Sequence, residues 1–351
     1  MSVCTSPVKT GRNPAIDVAK GIGILLVVFA HINYTPAPLT YIYSFHMPLF
    51  FILSGLLFRK EKYPTFGLFL KNRFYTLICP YLFFYSAALV IKILTTFVSD
   101  GISGVLSPTM LKALTQMFLA WGPSASPNNP LWFVPCLFCV EIMYFFIVSK
   151  KPWVNGLICT LLVCLGWLIK SEYLHMDGQR LLWNADIAFF AIGYYAFGNL
   201  FAEKLTFLQQ NFSKSKLLCA AAALLLGIVL YPLAMYNGKV SVGSGAFQNG
   251  FLLYATGIIG TTGVLFAAFA LENIRFLQYL GKNTFAIMGT HYVIRNVFNA
   301  FCRLIGFGNY DRQSILQSIP PFIVVLTASL ICTELYNRIR KAWTAKPRTL
   351  L

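Results

Sequence analysis

The first apolar stretch of the chain contains three residues that could do chemistry. The segment DVAKGIGILLVVFAH runs from Asp17 to His31 and includes Lys20. Ionisable side chains cost free energy in hydrocarbon, so in membrane spans they usually face a cavity or another helix. In an α-helix Lys20 and His31 are about three turns apart and lie on nearly the same face, which Asp17 shares. The spacing predicts a polar face that lines a cavity, with a proton-exchanging histidine at one end.

A purely structural interpretation of this helix stays open. Lys20 could extend its amine to the membrane surface and pair with Asp17, and His31 could be an interfacial residue hydrogen-bonded to a neighbour. Gly21 and Gly23 are equally ambiguous, because a glycine admits either a ligand or a second helix close to the backbone.

The second apolar stretch favours a functional site. It contains SFHMPLFFILSG (44–55), in which we predict that only a short turn separates His46 from His31 and that Pro48 kinks the helix. Consecutive helices that run in opposite directions bring their facing ends to one depth. Two of the four histidines are therefore expected at one site.

The composition indicates a polytopic membrane protein. Of the 351 residues, 57% are hydrophobic and 11% are charged, whereas soluble domains carry about 25% charged residues. Apolar runs of roughly 18–25 residues, the length that crosses about 30 Å of hydrocarbon, recur throughout. We predict one all-α transmembrane domain over residues 1–351, with no appended soluble domain and with ten helices near 15–32, 41–58, 75–98, 131–149, 152–169, 183–201, 217–236, 247–270, 283–304 and 314–336.

The basic residues predict an orientation. Most of the 28 Lys and Arg residues precede the first span, follow spans two, four, six and eight, or lie in the C-terminal tail. The positive-inside rule then places both termini in the cytoplasm. The same bias explains the net charge of +17 without a nucleic-acid partner. Residues 99–130 are predicted to form a long extracytoplasmic loop with little structure of its own, of the kind that often forms a lid or a binding wall.

Five motifs in order resemble the acyltransferase 3 family of bacterial integral-membrane acyltransferases. Lys20, ten residues and then His31 are similar to the Arg/Lys-x10-His signature of that family. FHMPLFFILSG (45–55), FLKNRFYTLICPYLFF (69–84), LWFVPCLF (131–138) and GKNTFAIMGTHYVI (281–294) extend the resemblance over nearly the whole chain. Two positions depart from the pattern, because Lys20 stands where Arg is commoner and Thr76 where a second basic residue often follows. The branch that the chain most resembles includes fucose 4-O-acetylase-like proteins.

The resemblance implies an O-acyltransferase of the bacterial cytoplasmic (inner) membrane. It would move an acetyl group from cytoplasmic acetyl-CoA to a hydroxyl of a sugar or polysaccharide on or near the extracytoplasmic side. His31 would be the general base or would carry the acyl group covalently. Lys71, Arg73 and Tyr81 would meet the anionic donor on the cytoplasmic side, and Lys20 would lie between that rim and the base.

Two carboxylates are assigned to the catalytic set. Asp17 is expected beside Lys20, and Glu141 lies in the middle of an apolar span, where a carboxylate needs a partner. Glu141 could orient a catalytic histidine or hold an acceptor hydroxyl, and a structural hydrogen bond to a neighbouring helix is the alternative. No metal cofactor is expected, because the Cys pair at 136 and 139 has neither a second pair nor a nearby histidine.

Four residues are predicted to contact the acceptor. Trp132 and Asn129 border the external mouth of the bundle, and an aromatic ring with an amide suits a sugar, although Trp is also the ordinary interface anchor. His46 comes from the second span. His291 matches a recurring histidine of the family, and a structural pairing is its alternative role.

Two other classes of protein compete with the enzyme. A sugar transporter or flippase would also need many helices and a polar interior, but carriers usually have two related halves. Here the ionisable residues of the spans concentrate in the first three and at His291. A non-catalytic partner in polysaccharide export is the third possibility, and the presence of both His31 and a cation at position 20 argues against it.

Overall fold

The computed structural model describes residues 12–120, 126–149, 151–170, 181–306 and 314–345, and every regular element in these ranges is helical. No β-strand occurs in them, and an isolated antiparallel bridge joins Ser241 to Ala246. The α-helices are α1 (Pro14–Ala30), α2 (Pro36–Tyr43), α3 (His46–Leu57), α4 (Phe66–Arg73), α5 (Cys79–Val105), α6 (Pro108–Leu119), α7 (Phe133–Ile147), α8 (Pro152–Lys170), α9 (Ala185–Leu200), α10 (Ala202–Phe212), α11 (Lys216–Asn237), α12 (Gly250–Ala270), α13 (Arg275–Lys282), α14 (Thr284–Leu304) and α15 (Ile315–Ala345).

Length and hydropathy confirm the predicted class, an all-α protein with several membrane-spanning helices. Among the described residues, seven helical stretches are long and apolar enough to cross a bilayer: Pro36–Leu57, Phe66–Val105, Asn129–Ile147, Pro152–Ile169, Lys216–Asn237, Gly250–Ala270 and Ile315–Ala342. The pair Leu182–Leu200 and Ala202–Phe212, bent by 55°, would make an eighth. Helices α1 and α14 also lie at predicted span positions but fall outside this set. The count of ten and the side on which the termini lie therefore stay predictions.

Helix α1 lies inside the bundle and is packed through glycines. A Cβ at Gly21 would lie 2.2 Å from the carbonyl oxygen of Leu277, and one at Gly281 would lie 1.7 Å from that of Asp17. The backbones of α1 and α13 therefore touch, which only glycine permits at these two positions. At Gly23 the neighbours are the side chains of Leu49 and Phe50. The ambiguous glycines of the first helix thus serve helix packing, as in other membrane bundles.

The predicted span 41–58 is interrupted earlier than its proline suggests. Helix α2 ends at Tyr43 and α3 begins at His46, with Phe45 in a non-helical conformation (φ −141°, ψ −17°). Pro48 lies in the first turn of α3, where a missing amide hydrogen costs little. The connection between His31 and His46 is not a short turn either, because it contains α2.

Part of segment 99–130 is helical, which corrects the prediction of a loop with little structure. Helix α5 extends to Val105 with a kink at Gly101 (φ 65°, ψ −158°), and α6 runs back along it. The hydroxyl of Tyr85 donates to the carbonyl of Ala113 (2.8 Å), and that of Tyr81 donates to the carbonyl of Met117 (3.1 Å). These bonds hold α6 against α5.

Candidate active site

A cavity of about 120 Å³ lies where the ends of α1 and α3 meet the segments 129–132 and 241–243. Four residues predicted from the sequence to act on substrate line it: His31, His46, Asn129 and Trp132. His31 directly follows α1, and His46 is the first residue of α3. The two helix ends therefore carry the histidines to one cavity although α2 separates them in the chain.

His46 is held in one orientation by a carbonyl group of the preceding helix, α2. Its Nδ1 lies 2.8 Å from the carbonyl oxygen of Ile42, on the last turn of α2. Since a carbonyl oxygen only accepts hydrogen bonds, Nδ1 carries the hydrogen and Nε2 has the free lone pair of the neutral ring. The ring of Tyr43 packs edge-on at 4.8 Å between centroids. His46 therefore offers an acceptor atom at a fixed position.

His291 contacts His31 rather than the cavity. The ring centroids are 5.3 Å apart, and His291 is fully buried. Its Nδ1 lies 3.0 Å from the carbonyl oxygen of Ile287, so Nδ1 donates and Nε2 is the lone-pair atom. Within the described ranges this buried Nε2 has no hydrogen-bond partner. His291, which was predicted to contact the acceptor, therefore does not line the cavity. It packs against the ring of His31 and can act on a substrate only through that ring.

Two cations that the sequence reading did not select lie beside the histidines. The guanidinium of Arg295 donates to the carbonyl oxygen of His31 (3.1 Å) and lies 4.2 Å from the ring centroid of Tyr292, which packs edge-on against His31. Lys239 lies over the ring of Tyr43 at 5.1 Å. Arg295 follows His291 by four residues, a same-face spacing that could have identified it. Lys239 lies in the connection between α11 and α12, where no helical spacing could have identified it.

Asp17 and Lys20 lie far from the cavity. The carboxylate of Asp17 accepts hydrogen bonds from Nε of Arg12 at 2.7 and 3.0 Å, so its ion pair is formed with Arg12 and not with the expected Lys20. Lys20 is largely buried on α1. It precedes His31 by about 16 Å along the helix axis.

Arg73 and Glu141 form an ion pair, with Nε 2.9 Å from Oε2. The hydroxyl of Tyr195 approaches the other carboxylate oxygen (3.5 Å), and the guanidinium lies over the rings of Tyr63 and Phe69. Arg73 ends α4 and is followed by a π-helical turn at Phe74–Ile78; such turns are frequent at functional sites.

This pair is also remote from the histidines. Glu141 lies nine residues beyond Trp132, about 13 Å along α7, and it does not line the cavity. Of the other two residues predicted to meet the donor, Lys71 is exposed and Tyr81 is buried with its hydroxyl bonded to α6. The structure therefore separates a histidine site from a cationic region around Arg73.

The three neighbouring histidines raise the question of a metal ion. Within the residues that the structure describes, no group of three or more His, Cys, Asp or Glu side chains is placed to hold one.

Comparison with family models gives a match over nearly the whole chain. A family model described as an acyltransferase domain, the acyltransferase 3 family, matches residues 13–336. No curated protein matches the chain significantly.

Proposed function

We propose that this protein transfers an acetyl group from acetyl-CoA to a sugar hydroxyl. The chain belongs to the acyltransferase 3 family and is therefore a membrane acyltransferase. The observation that supports this proposal most strongly is the cavity that His31 and His46 share with Asn129 and Trp132. It combines a base with side chains suited to a carbohydrate. Membership of the fucose 4-O-acetylase-like branch stays a prediction.

His31 is the proposed base. Its imidazole takes the proton of the acceptor hydroxyl as the hydroxyl oxygen attacks the thioester carbonyl. The tetrahedral intermediate collapses, the carbon–sulfur bond breaks, and the CoA thiolate leaves with the proton that His31 returns. Alternatively, the imidazole nitrogen attacks the thioester carbonyl, the carbon–sulfur bond breaks, and the CoA thiolate leaves with the ring proton. The acceptor oxygen then attacks the acetyl carbon, the carbon–nitrogen bond breaks, and the imidazole keeps the proton of the acceptor hydroxyl. Both routes need an uncharged His31 at the start.

The cavity walls set what enters. A volume of about 120 Å³ corresponds to roughly four water molecules at their share of liquid volume. It therefore holds the acetyl group and the hydroxyl that receives it, and the remainder of a sugar chain lies outside. We assign Nε2 of His46 and the amide of Asn129 to hydrogen bonds with the acceptor and the Trp132 ring to contact with a sugar face.

The donor is assigned to the other end of α1. Lys71, Arg73 and Lys20 supply positive charge on the predicted cytoplasmic side, and the thin pantetheine arm spans the distance from there to His31. Glu141 contacts Arg73 at Nε, so it fixes the guanidinium while the two terminal nitrogens can meet a donor phosphate. The carboxylate of Asp17 positions Arg12 at the same end of α1. Tyr81 holds α6 in place, because its hydroxyl donates to a carbonyl group of that helix. In this proposal the two carboxylates position cations and do not react.

Acetyl-CoA binding and slow hydrolysis by the purified protein in detergent test the proposal. Wild type is expected to bind acetyl-CoA and release free CoA, whereas His31→Ala binds with similar affinity and releases none. His31→Gln serves as a second variant of closer size, and Cys164→Ala, an exposed change, as the control. If wild type does not bind acetyl-CoA, the donor assignment is wrong. Wild-type hydrolysis by His31→Ala would overturn the assignment of the base.

A further inference from the structure

A second, larger cavity lies beside the histidine site, in a groove between α5 and α14. Its volume is about 330 Å³. On α14 the lining residues recur every three or four positions from Tyr292 to Arg303, and on α5 they run from Ala88 to Thr95. The groove therefore follows α14 for about 16 Å and α5 for about 10 Å.

The groove adjoins the site at two points. Tyr292 forms its inner end and also packs edge-on against the ring of His31, with the centroids 5.5 Å apart. Ser126 and Pro127 line the groove, and the next residues of the same segment, Asn129 and Pro130, line the cavity. A ligand in the groove is thus separated from the proposed base by one ring and one short segment.

The sides of the groove are apolar and exposed. Ile91 and Val297 line it with 38% and 49% of their surface exposed, and the neighbouring Leu94 and Phe301 are more exposed still. On helices of a membrane protein, such faces contact lipid chains. The groove is therefore open sideways to the bilayer, so that a ligand can enter it without leaving the lipid.

Two cations lie in this apolar setting. Lys92 from α5 and Arg303 from α14 line the groove, which has no acidic residue among its described lining. Neither forms an ion pair in the described part of the chain. Lys92 is half-buried in the middle of α5, where a cation is costly unless an anion or water accompanies it. Arg303 is exposed in the last turn of α14, and its guanidinium is well suited to a phosphate. The groove thus combines lipid-facing walls with a site for one anionic group.

We propose that this groove binds a phosphate-linked lipid, and that the acceptor sugar is presented to the histidine site while still attached to that lipid. The phosphate lies between Lys92 and Arg303, the hydrocarbon chain lies along Ile91 and Val297, and the sugar extends past Tyr292 toward His31. The identification of the lipid as the acceptor carrier rests on the proposed acyl transfer. Binding of a lipid phosphate in the groove is independent of that proposal.

Binding of farnesyl phosphate to the full-length protein in detergent tests this inference. Farnesyl phosphate is expected to bind at least tenfold more tightly than farnesol, and Lys92→Gln with Arg303→Gln should remove that difference. The matched control is Lys112→Gln, an exposed cation on α6 outside the groove, which should leave the preference intact. Equal binding of alcohol and phosphate, or an unchanged preference in the double variant, would overturn the proposal.

Two further arms identify the source of the phosphate. Inorganic phosphate should not compete at millimolar concentration, because it lacks the chain that the apolar walls bind; full competition would reject a lipid site. Dihexanoyl phosphatidylglycerol should bind more weakly than farnesyl phosphate, and the reverse order would assign the groove to a membrane phospholipid and reject the acceptor role. Acetyl-CoA binding is measured on the same samples, so a failure of the donor assignment is recognised separately from a failure of the groove.

Discussion

Arg73 and Glu141 form an ion pair between α4 and α7 in which both charges are largely withdrawn from solvent, with 20% and 5% of the side chains exposed. Removing one partner of a buried pair leaves an uncompensated charge and costs about 3–5 kcal/mol. Loss of either partner alone is therefore expected to destabilise the bundle, although the intact pair itself is not expected to be strongly stabilising.

Replacement of one charge of this pair should destabilise the protein more than replacement of both. We expect Arg73→Ala to lose roughly 3 kcal/mol, seen as a lower unfolding temperature in detergent. The double variant Arg73→Met with Glu141→Leu should recover most of this loss, because neither charge remains buried. Equal unfolding temperatures for the single and the double variant would contradict the prediction.

His291 should affect the rate of hydrolysis without affecting donor binding. Its free Nε2 and its ring contact with His31 place it to orient or share a proton with that ring. His291→Leu is expected to lower the rate of acetyl-CoA hydrolysis about 100-fold at unchanged acetyl-CoA affinity. Since neighbouring histidines titrate as a coupled pair, the pH dependence of the remaining rate should change shape. A lower unfolding temperature with an unaltered pH profile would assign His291 a structural role only.

Gly21 and Gly281 should not tolerate a methyl group. The added carbon of Gly21→Ala would lie 2.2 Å from a backbone oxygen of α13, which cannot move aside as a flexible side chain can. We expect a loss of at least 1–3 kcal/mol, as for overpacked cores, or failure to accumulate folded protein. Gly67→Ala is the matched control, since no atom lies within 4 Å of its added carbon and alanine is the better helix former. The prediction is wrong if both variants unfold at the wild-type temperature.

Gly243 should control the size of the cavity. A Cβ there would lie 2.5 Å from the indole ring of Trp132, and both residues line the cavity. Gly243→Ala is therefore expected to displace Trp132 into the acceptor space. Its transfer to added sugar acceptors should fall at least tenfold while acetyl-CoA binding stays at the wild-type level. Gly263→Ala, where the nearest atom lies at an ordinary 3.5 Å, should change neither quantity, and equal effects of the two changes would reject this role.

Much of the fold follows from local properties of the chain. Apolar runs of membrane length and the spacing of His31 from Lys20 are set within one helix, so they can be read without knowledge of the partners. His31 and His46 line one cavity, as expected from two consecutive apolar stretches, but α2 rather than a short turn connects them. The roles assigned to these residues stay predictions, although the enzyme class is confirmed by the family match.

Other features depend on contacts between distant parts of the chain. The partner of Asp17 is Arg12 rather than Lys20, and the partner of Glu141 comes from α4; no periodicity within one helix selects either. The docking of α6 on α5 depends on Tyr81 and Tyr85, which donate to its carbonyl groups, although the start of the helix is marked locally by the N-cap Ser107. Lys239 reaches the site from between helices. Such pairings need the three-dimensional structure.

The contact of α1 with α13 also constrains how the protein is made. His31 directly follows α1, and its partner His291 lies on α14, so the two rings meet only after the helices between them have been synthesised. Because Gly21 and Gly281 join the backbones of α1 and α13 directly, docking of this late segment is also the step that completes the interior around α1. A nascent chain that lacks α13 and α14 has its first histidine in place but no second one beside it. Biogenesis itself therefore delays assembly of the histidine pair until α13 and α14 have been synthesised.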